Sequence, residues 1–174
     1  MTQGALRFRP LVQADQAALW DWLHLSLWDP PAAPPRPREV RQHPAVRIYA
    51  EGWGRGADLG MVAVLDGRDA GACWMRLLPE GIGLASVDAA TPQLGIALET
   101  GFRRQGIGTR LMRAIETSAQ AAGRTLLVLD TRKGSIAEGL YRKLGYIEGG
   151  VIPGYARTVD GTLVAAAFFY RTLA

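Results

Sequence analysis

The run Arg103-Arg104-Gln105-Gly106-Ile107-Gly108 has the clearest chemical potential in the chain. Its two glycines leave no side chain between a ligand and the backbone N–H groups at the start of a helix, where the first donors lack intrahelical partners. The helix macrodipole favours negative charge at that end, and two adjacent guanidinium groups add positive charge. Such a mouth suits phosphate. The same glycines would also serve a tightly packed strand-to-helix turn, so a bare G-x-G leaves cradle and packing as alternatives. Two known phosphate signatures are missing from the sequence: G-x-x-x-x-G-K-S/T, and G-x-G-x-x-G followed by an acid about twenty residues on.

Other chemistry is sparse. The single Cys73 excludes an internal disulfide and a multi-cysteine zinc site, and fits a reducing compartment. His24 has no partner at metal-ligand spacing, so no metal is expected. A length of 174 residues, 48% hydrophobic and 21% charged, describes one soluble globular domain. No signal-like N-terminus and no apolar run of membrane-spanning length is present, so a cytoplasmic protein without a membrane partner is expected. The net charge of +4 and the pI near 9.6 could hint at nucleic acid. The basic residues are scattered from Arg7 to Arg171 without a block or a basic helix face, which argues against that partner. A modest positive field suits a polyphosphate ligand equally well.

The elements that must position the glycine run are readable. Thr91 to Leu98 is expected to be the strand entering it, and Gly95 and Ala97 alternate there with Leu94, Ile96 and Leu98. The small residues leave room for something to lie against that strand. A helix from Gln105 to about Ala122 follows, with Ile107, Leu111, Ile115 and Ala119 on one face and Gly123 as its stop. Leu126 to Leu129 reads as a buried parallel strand ending at Asp130, placed beside the first by a right-handed crossover. Ser135 and Glu138 form a capping-box pattern for a helix to Leu144, with Ile136, Leu140 and Leu144 as its buried stripe and Tyr141 at the margin.

Before this core, residues 6–10 suggest an edge strand, and Asp15 is expected to cap a helix through about Trp28. The proline-rich 30–37 segment reads as a stiff connection, followed by a helix between Arg38 and Ala50 interrupted at Pro44. Asp66-Gly67 marks a hairpin between runs 59–65 and 70–77. Two closing strands, about 146–151 and 162–172, are expected to be joined through Pro153-Gly154-Tyr155 and Asp160-Gly161.

The pattern Arg103-x-x-Gly106-x-Gly108 after an apolar strand resembles the acetyl-CoA pyrophosphate loop of the GCN5-related N-acetyltransferases, the GNAT superfamily. A second stretch, Ser135 to Tyr146, is similar to that family's N-x-x-A-x-x-L-Y-x-x-x-G-F/Y helix, with Ala137, Leu140, Tyr141, Gly145 and Tyr146 in register and Gly134 where the family has Asn. The likeness covers roughly residues 60–172, with a narrower resemblance to tabtoxin-resistance acetyltransferases around 127–155. It implies an α/β (α+β) fold: a mixed, mostly antiparallel sheet of about six or seven strands flanked by about four helices, in one domain, with residues 1–57 as variable acceptor-side helices and 58–174 as the acetyl-CoA-binding core.

The resemblance further implies acetyl transfer from acetyl-CoA to a primary amine in a ternary complex, without a metal. Ile96, Ala97, Leu98, Arg103, Arg104, Gln105, Gly106, Ile107, Gly108, Thr109 and Ser135 would hold the cofactor, with Ser135 standing in for the Asn. Tyr141 is the candidate acid, since a phenol can protonate a departing thiolate. Many relatives carry a Glu base near the start of the fourth strand, where this chain has Gln93, so Asp130 becomes the first candidate base, ahead of Glu99 and Asp88. Trp28, Tyr49, Trp53 and Tyr155 are the candidate acceptor-binding residues. A non-catalytic acyl-CoA-binding regulator is the alternative that Gln93 and Gly134 suggest. Acceptor identity and oligomeric state, a homodimer included, stay open.

Overall fold

The computed structural model describes residues 5–173. The chain builds a seven-stranded sheet in the order β1-β2-β3-β4-β5-β7-β6. The strands are β1 (Leu6–Pro10), β2 (Leu59–Leu65), β3 (Arg68–Arg76), β4 (Gln93–Leu98), β5 (Leu126–Arg132), β6 (Ile147–Arg157) and β7 (Leu163–Thr172). The helices are α1 (Gln16–Ser26), the single turn α2 (Pro44–Arg47), α3 (Ile107–Ala121) and α4 (Ile136–Lys143). β4 and β5 run parallel and the other neighbouring strands pair antiparallel. This is a single-domain mixed sheet with helices on both faces, as expected.

Alternation along the strands sorts the core into two layers. Beneath the sheet, Ile107, Leu111, Met112, Ile115 and Ala119 of α3 pack with Cys73, Met75, Leu127, Leu129, Tyr141 and Phe169. Above it, Leu19, Trp22 and Leu23 of α1 meet Val62, Ala72, Trp74 and Ala97. Each fully buried large aliphatic contributes about 1.5–3 kcal/mol through area removed from water. The β2–β3 hairpin closes across Asp66 and Gly67, whose φ values of 51° and 77° suit a two-residue type I′ turn.

Several local expectations are corrected. Asp15 does not cap α1 with its side chain; its carboxylate accepts from Val12 N–H at 2.9 Å and pairs with Arg9. Pro44 does not merely interrupt a helix; it starts a new one at a position that needs no N–H, after a 3-10 turn over Arg38–Gln42. Ser135 is the N-cap residue of α4 but makes no capping bond, sharing instead a 3.0 Å hydrogen bond with the Thr131 hydroxyl. Glu138 turns to Lys133 at 3.3 Å. Ile136 is 84% exposed and Tyr141 only 5%, so the buried stripe of α4 is rotated from the one expected. β6 runs on through Pro153 to Arg157 because an irregularity between Ile152 and Ala156 absorbs the proline.

One buried ion pair ties the first half of the chain to the sheet. The Arg76 guanidinium donates to both Asp58 carboxylate oxygens at 2.9 and 2.7 Å and to the carbonyls of Ile48, Glu51 and Gly52. Both side chains are almost fully buried. The guanidinium thereby fixes the segment that carries Tyr49. Removing one partner of such a pair strands the other charge, so Asp58→Ala is expected to lower the unfolding free energy by about 3–5 kcal/mol, measured by urea titration.

Candidate active site

β4 and β5 touch at a single rung, Gln93 with Val128, and then part. β3 continues to pair with β4 through Leu98, and β7 with β5 through Arg132, so the parting opens a cleft inside a sheet that is intact on either side. Glu99 N–H donates back to Ala70 O at 2.9 Å, which fixes the sense of the alternation. The backbone groups of Ile96 and Leu98 therefore point away from β3 into the cleft, whereas those of Ala97 point to β3. Backbone donors and acceptors withdrawn from water require partners, and those of Ile96 and the N–H of Leu98 are not supplied with one by a neighbouring strand.

At the mouth, Gly106 caps α3 with φ 75°, and no heavy atom lies within 4 Å of the place a Cβ would occupy. The first-turn N–H groups of Ile107, Gly108 and Thr109 open onto this space. Arg103 folds back so that its Nε donates to Leu98 O at 2.9 Å, and Gln105 donates to Gly101 O at 3.0 Å. Arg104 adopts φ 61°, which turns the loop toward the helix. Arg103, Arg104, Gln105 and Gly106 are exposed, as an anion-binding rim would be. Ser135 sits with Thr131 at the end of β5, beyond Gly134, which has φ 80°. Glycine and asparagine are the residues that tolerate that conformation, so Gly134 keeps the turn and gives up an amide.

The two titratable candidates lie on opposite faces of the cleft. Tyr141, on the α4 side, packs 5.8 Å from the rings of Tyr146 and Phe169. Burial, reinforced by the nearby Cys73 and Asp130, pushes its phenol well above the usual value and keeps it protonated. The Cys73 thiol is likewise pushed up by burial and stays neutral. Asp130 faces the α1 side two residues past the last β4–β5 rung, and desolvation pushes its carboxyl up to about 6.

All four expected acceptor residues lie on the α1 side, and three of them are at least partly exposed. Tyr49 donates to Gln93 Oε1 at 3.0 Å and accepts from Leu84 N–H at 2.7 Å; desolvation pushes its phenol up to about 12, with Asp130 contributing. Tyr155 donates to Leu84 O at 3.0 Å and stacks edge-on against Phe168 at 5.1 Å. Trp28 lies under the Arg132 guanidinium at 3.2 Å. Trp53 is the exception. It is 2% exposed, its indole donates to Leu11 O at 3.1 Å, and it is a core residue.

Gln93 is bound on every side: it accepts from Tyr49 and Ala85 and donates to Ile82 O at 2.7 Å. It organises the loop 81–85, where a Cβ on Gly83 would collide with its amide. Arg132 and Phe168 went unremarked in the sequence, although strict alternation from Asp130 puts Arg132 on the same face and register puts Phe168 opposite Asp130.

The family model of the acetyltransferase (GNAT) domain matches residues 56–148, which takes in the cleft, the glycine loop and α4. The chain belongs to the GNAT acetyltransferases. Solved structures of the same fold include a proposed acetyltransferase from Acinetobacter baylyi, with TM-score 0.76 and 18% identity over 99% of this chain and 94% of that one. The ribosomal-protein-S18-alanine N-acetyltransferase of Escherichia coli gives TM-score 0.68 and 20% identity over 98% and 95%. A further proposed acetyltransferase, from Salmonella typhimurium and solved with its cofactor acetyl-CoA, gives TM-score 0.69 and 16% identity over 98% and 95%. Among the described residues no helix is long and apolar enough to cross a membrane.

In this GNAT site the raised carboxyl of Asp130 has a thermodynamic signature. The folded state holds its proton more tightly than the unfolded chain, so the stability it contributes is full below about pH 4 and is lost as pH rises through about 6. Asp130→Asn is therefore expected to melt several degrees above the wild type at pH 8. The gap should close below pH 4 in a calorimetric pH series.

Proposed function

We propose that this protein transfers the acetyl group of acetyl-CoA to a primary amine by direct attack in a ternary complex. The observation that carries the reading is the parted β4–β5 pair, with an anion-binding helix start at its mouth and Tyr141 and Asp130 on its two faces.

The residues fit acetyl-CoA. A pyrophosphate matches the free N–H groups from Ile107 to Thr109, with Arg103 and Arg104 alongside, and Gly106 leaves it open space. An extended pantetheine arm matches the outward backbone groups of Ile96 and the N–H of Leu98, whose carbonyl is held by Arg103, with Ala97 contributing its small side chain on the α1 face. Acetyl-CoA would supply an activated thioester.

The chain's own groups then have separate tasks. An ammonium group is no nucleophile, so its proton must leave, and a carboxyl that ionises near pH 6 is charged at neutral pH and able to take it. Asp130 stands on the side from which Tyr49, Tyr155 and Trp28 would admit the amine. Tyr141 stands on the other side and holds its proton at neutral pH. It would donate that proton to the departing sulfur, whose conjugate acid is near 8.5. Gln93 cannot titrate and holds the adjoining loop in place instead.

The test is acetyl-CoA binding together with thiol release across a panel of amines; binding without release for any amine would support a cofactor-binding regulator. Tyr141→Phe is expected to cut turnover by about 10²–10⁴-fold while acetyl-CoA affinity stays within a few-fold, as removal of a general acid does. Unchanged turnover would refute the acid role. Gly106→Glu is expected to abolish acetyl-CoA binding by calorimetry through charge and bulk at the phosphates. Normal affinity in a folded variant would place the cofactor elsewhere.

A further inference from the structure

Arg132 has no counter-ion. Its guanidinium carbon lies 3.2 Å from the centre of the Trp28 ring, its Nε is buried without a hydrogen-bond partner, and no carboxylate pairs with it among the described residues. The neighbouring acid is already committed. Asp29 binds Arg36 through both oxygens at 2.7 and 2.6 Å and accepts from Val159 N–H at 2.7 Å. Lys133, the next cation along the chain, is satisfied by Glu138 and Glu148. A buried guanidinium nitrogen without an acceptor is costly, and guanidinium planes match carboxylates in shape and charge.

The position of this group gives the observation its meaning. Asp130 and Arg132 are two residues apart on an unbroken stretch of β5, in register with Phe168 and Ala166 of β7, so both side chains leave the same face roughly 7 Å apart at the backbone. Their surroundings are aromatic: Trp28 under Arg132, Phe168 opposite Asp130, and Tyr155 edge-on to Phe168. An acid that can take a proton from an amine and an unpaired guanidinium thus flank one small, ring-lined floor. Opposite charges at that spacing match the two ends of a compact zwitterion, and neither a polyamine nor a neutral amine would answer Arg132.

We infer that the acceptor is an amino acid or a close analogue, whose amine is presented to Asp130 while its own carboxylate pairs with Arg132 on the Trp28 ring. This rests on the acetyl-transfer reading above. In the transfer the ammonium group gives one proton to Asp130, the freed amine nitrogen forms the new bond to the acetyl carbon and the carbon–sulfur bond of acetyl-CoA breaks; Tyr141 protonates the departing thiolate, the second proton shed by the nitrogen restores the Tyr141 phenol, and Asp130 returns its proton to solvent. The acceptor carboxylate is unchanged throughout and serves only to hold the molecule.

The experiment compares matched pairs: the common amino acids, each against the amine that lacks its carboxylate, alongside spermidine and a short peptide with a free N-terminus. Thiol release is followed with the wild type and with Arg132→Met, which keeps a long apolar side chain on Trp28. The wild type should favour at least one amino acid over its carboxylate-free partner by about tenfold to a hundredfold in kcat/KM, chiefly through KM, as loss of a charged hydrogen bond would give. In Arg132→Met that ratio should fall toward one, and Arg132→Lys should recover part of it. Equal or better use of the carboxylate-free amines, or of spermidine or the peptide alone, would overturn the inference and leave acetyl transfer standing. An unchanged ratio in a folded Arg132→Met would also overturn it. If acetyl-CoA binds and no amine is acetylated, the transferase reading falls and this inference with it.

Discussion

A parallel pair of strands that separates after one rung is the constraint from which the rest of this molecule follows. Main-chain N–H and C=O groups taken from water need partners, and a sheet normally supplies them strand by strand. Here β3 secures one edge of β4 and β7 one edge of β5, so the sheet survives a split along its middle. The split remains open at the carboxyl ends, where the crossover delivers the start of α3. A groove with peptide groups on its wall and a helix start at its mouth would suit a long, anionic, partly peptide-like molecule.

Strand alternation gives this groove two unlike faces. Leu127, Leu129 and Tyr141 belong to the α3–α4 layer, a dry environment in which a phenol stays protonated. Asp130 and Arg132 emerge on the α1 layer among aromatic rings from Trp28, Tyr155 and Phe168. The reactants would meet through the thickness of the sheet, each with its own proton-handling group. The Arg76–Asp58 pair matters here because it anchors the 48–58 segment, and through Tyr49 it sets the edge of the α1-side floor.

What could be read from the sequence was whatever depends on local periodicity. The four-residue repeat of α3, the Asp66-Gly67 hairpin and the glycine-bearing helix start are each specified within a few turns of chain, and each is present. The parting of β4 from β5 has no local signature, because strand pairing joins residues far apart and leaves no periodic trace. Trp53 was misplaced for a similar reason. An aromatic among glycines suits a pocket wall or a core, and a carbonyl from Leu11, distant in sequence, decided for the core. Ser135 and Glu138 matched a local capping pattern but found better partners in Thr131 and Lys133. Arg132 was legible in principle from its distance to Asp130, although its lack of a counter-ion is a fact of three dimensions.

The amide of Gln93 has an effect beyond holding a loop. On the α1 side, Gln93, Tyr49 and the main chain from Ile82 to Ala85 form one hydrogen-bonded cluster, to which Tyr155 is tied through Leu84 O. An amide and peptide groups do not titrate, and the Tyr49 phenol, pushed up to about 12, keeps its proton throughout the neutral range. The Tyr49–Gln93 contact therefore carries the same charge in mildly acidic and mildly alkaline surroundings. Responsiveness to acidity is left to Asp130, whose raised carboxyl changes charge near pH 6, so on this side of the sheet the groups that hold the loop and the group that titrates are different ones.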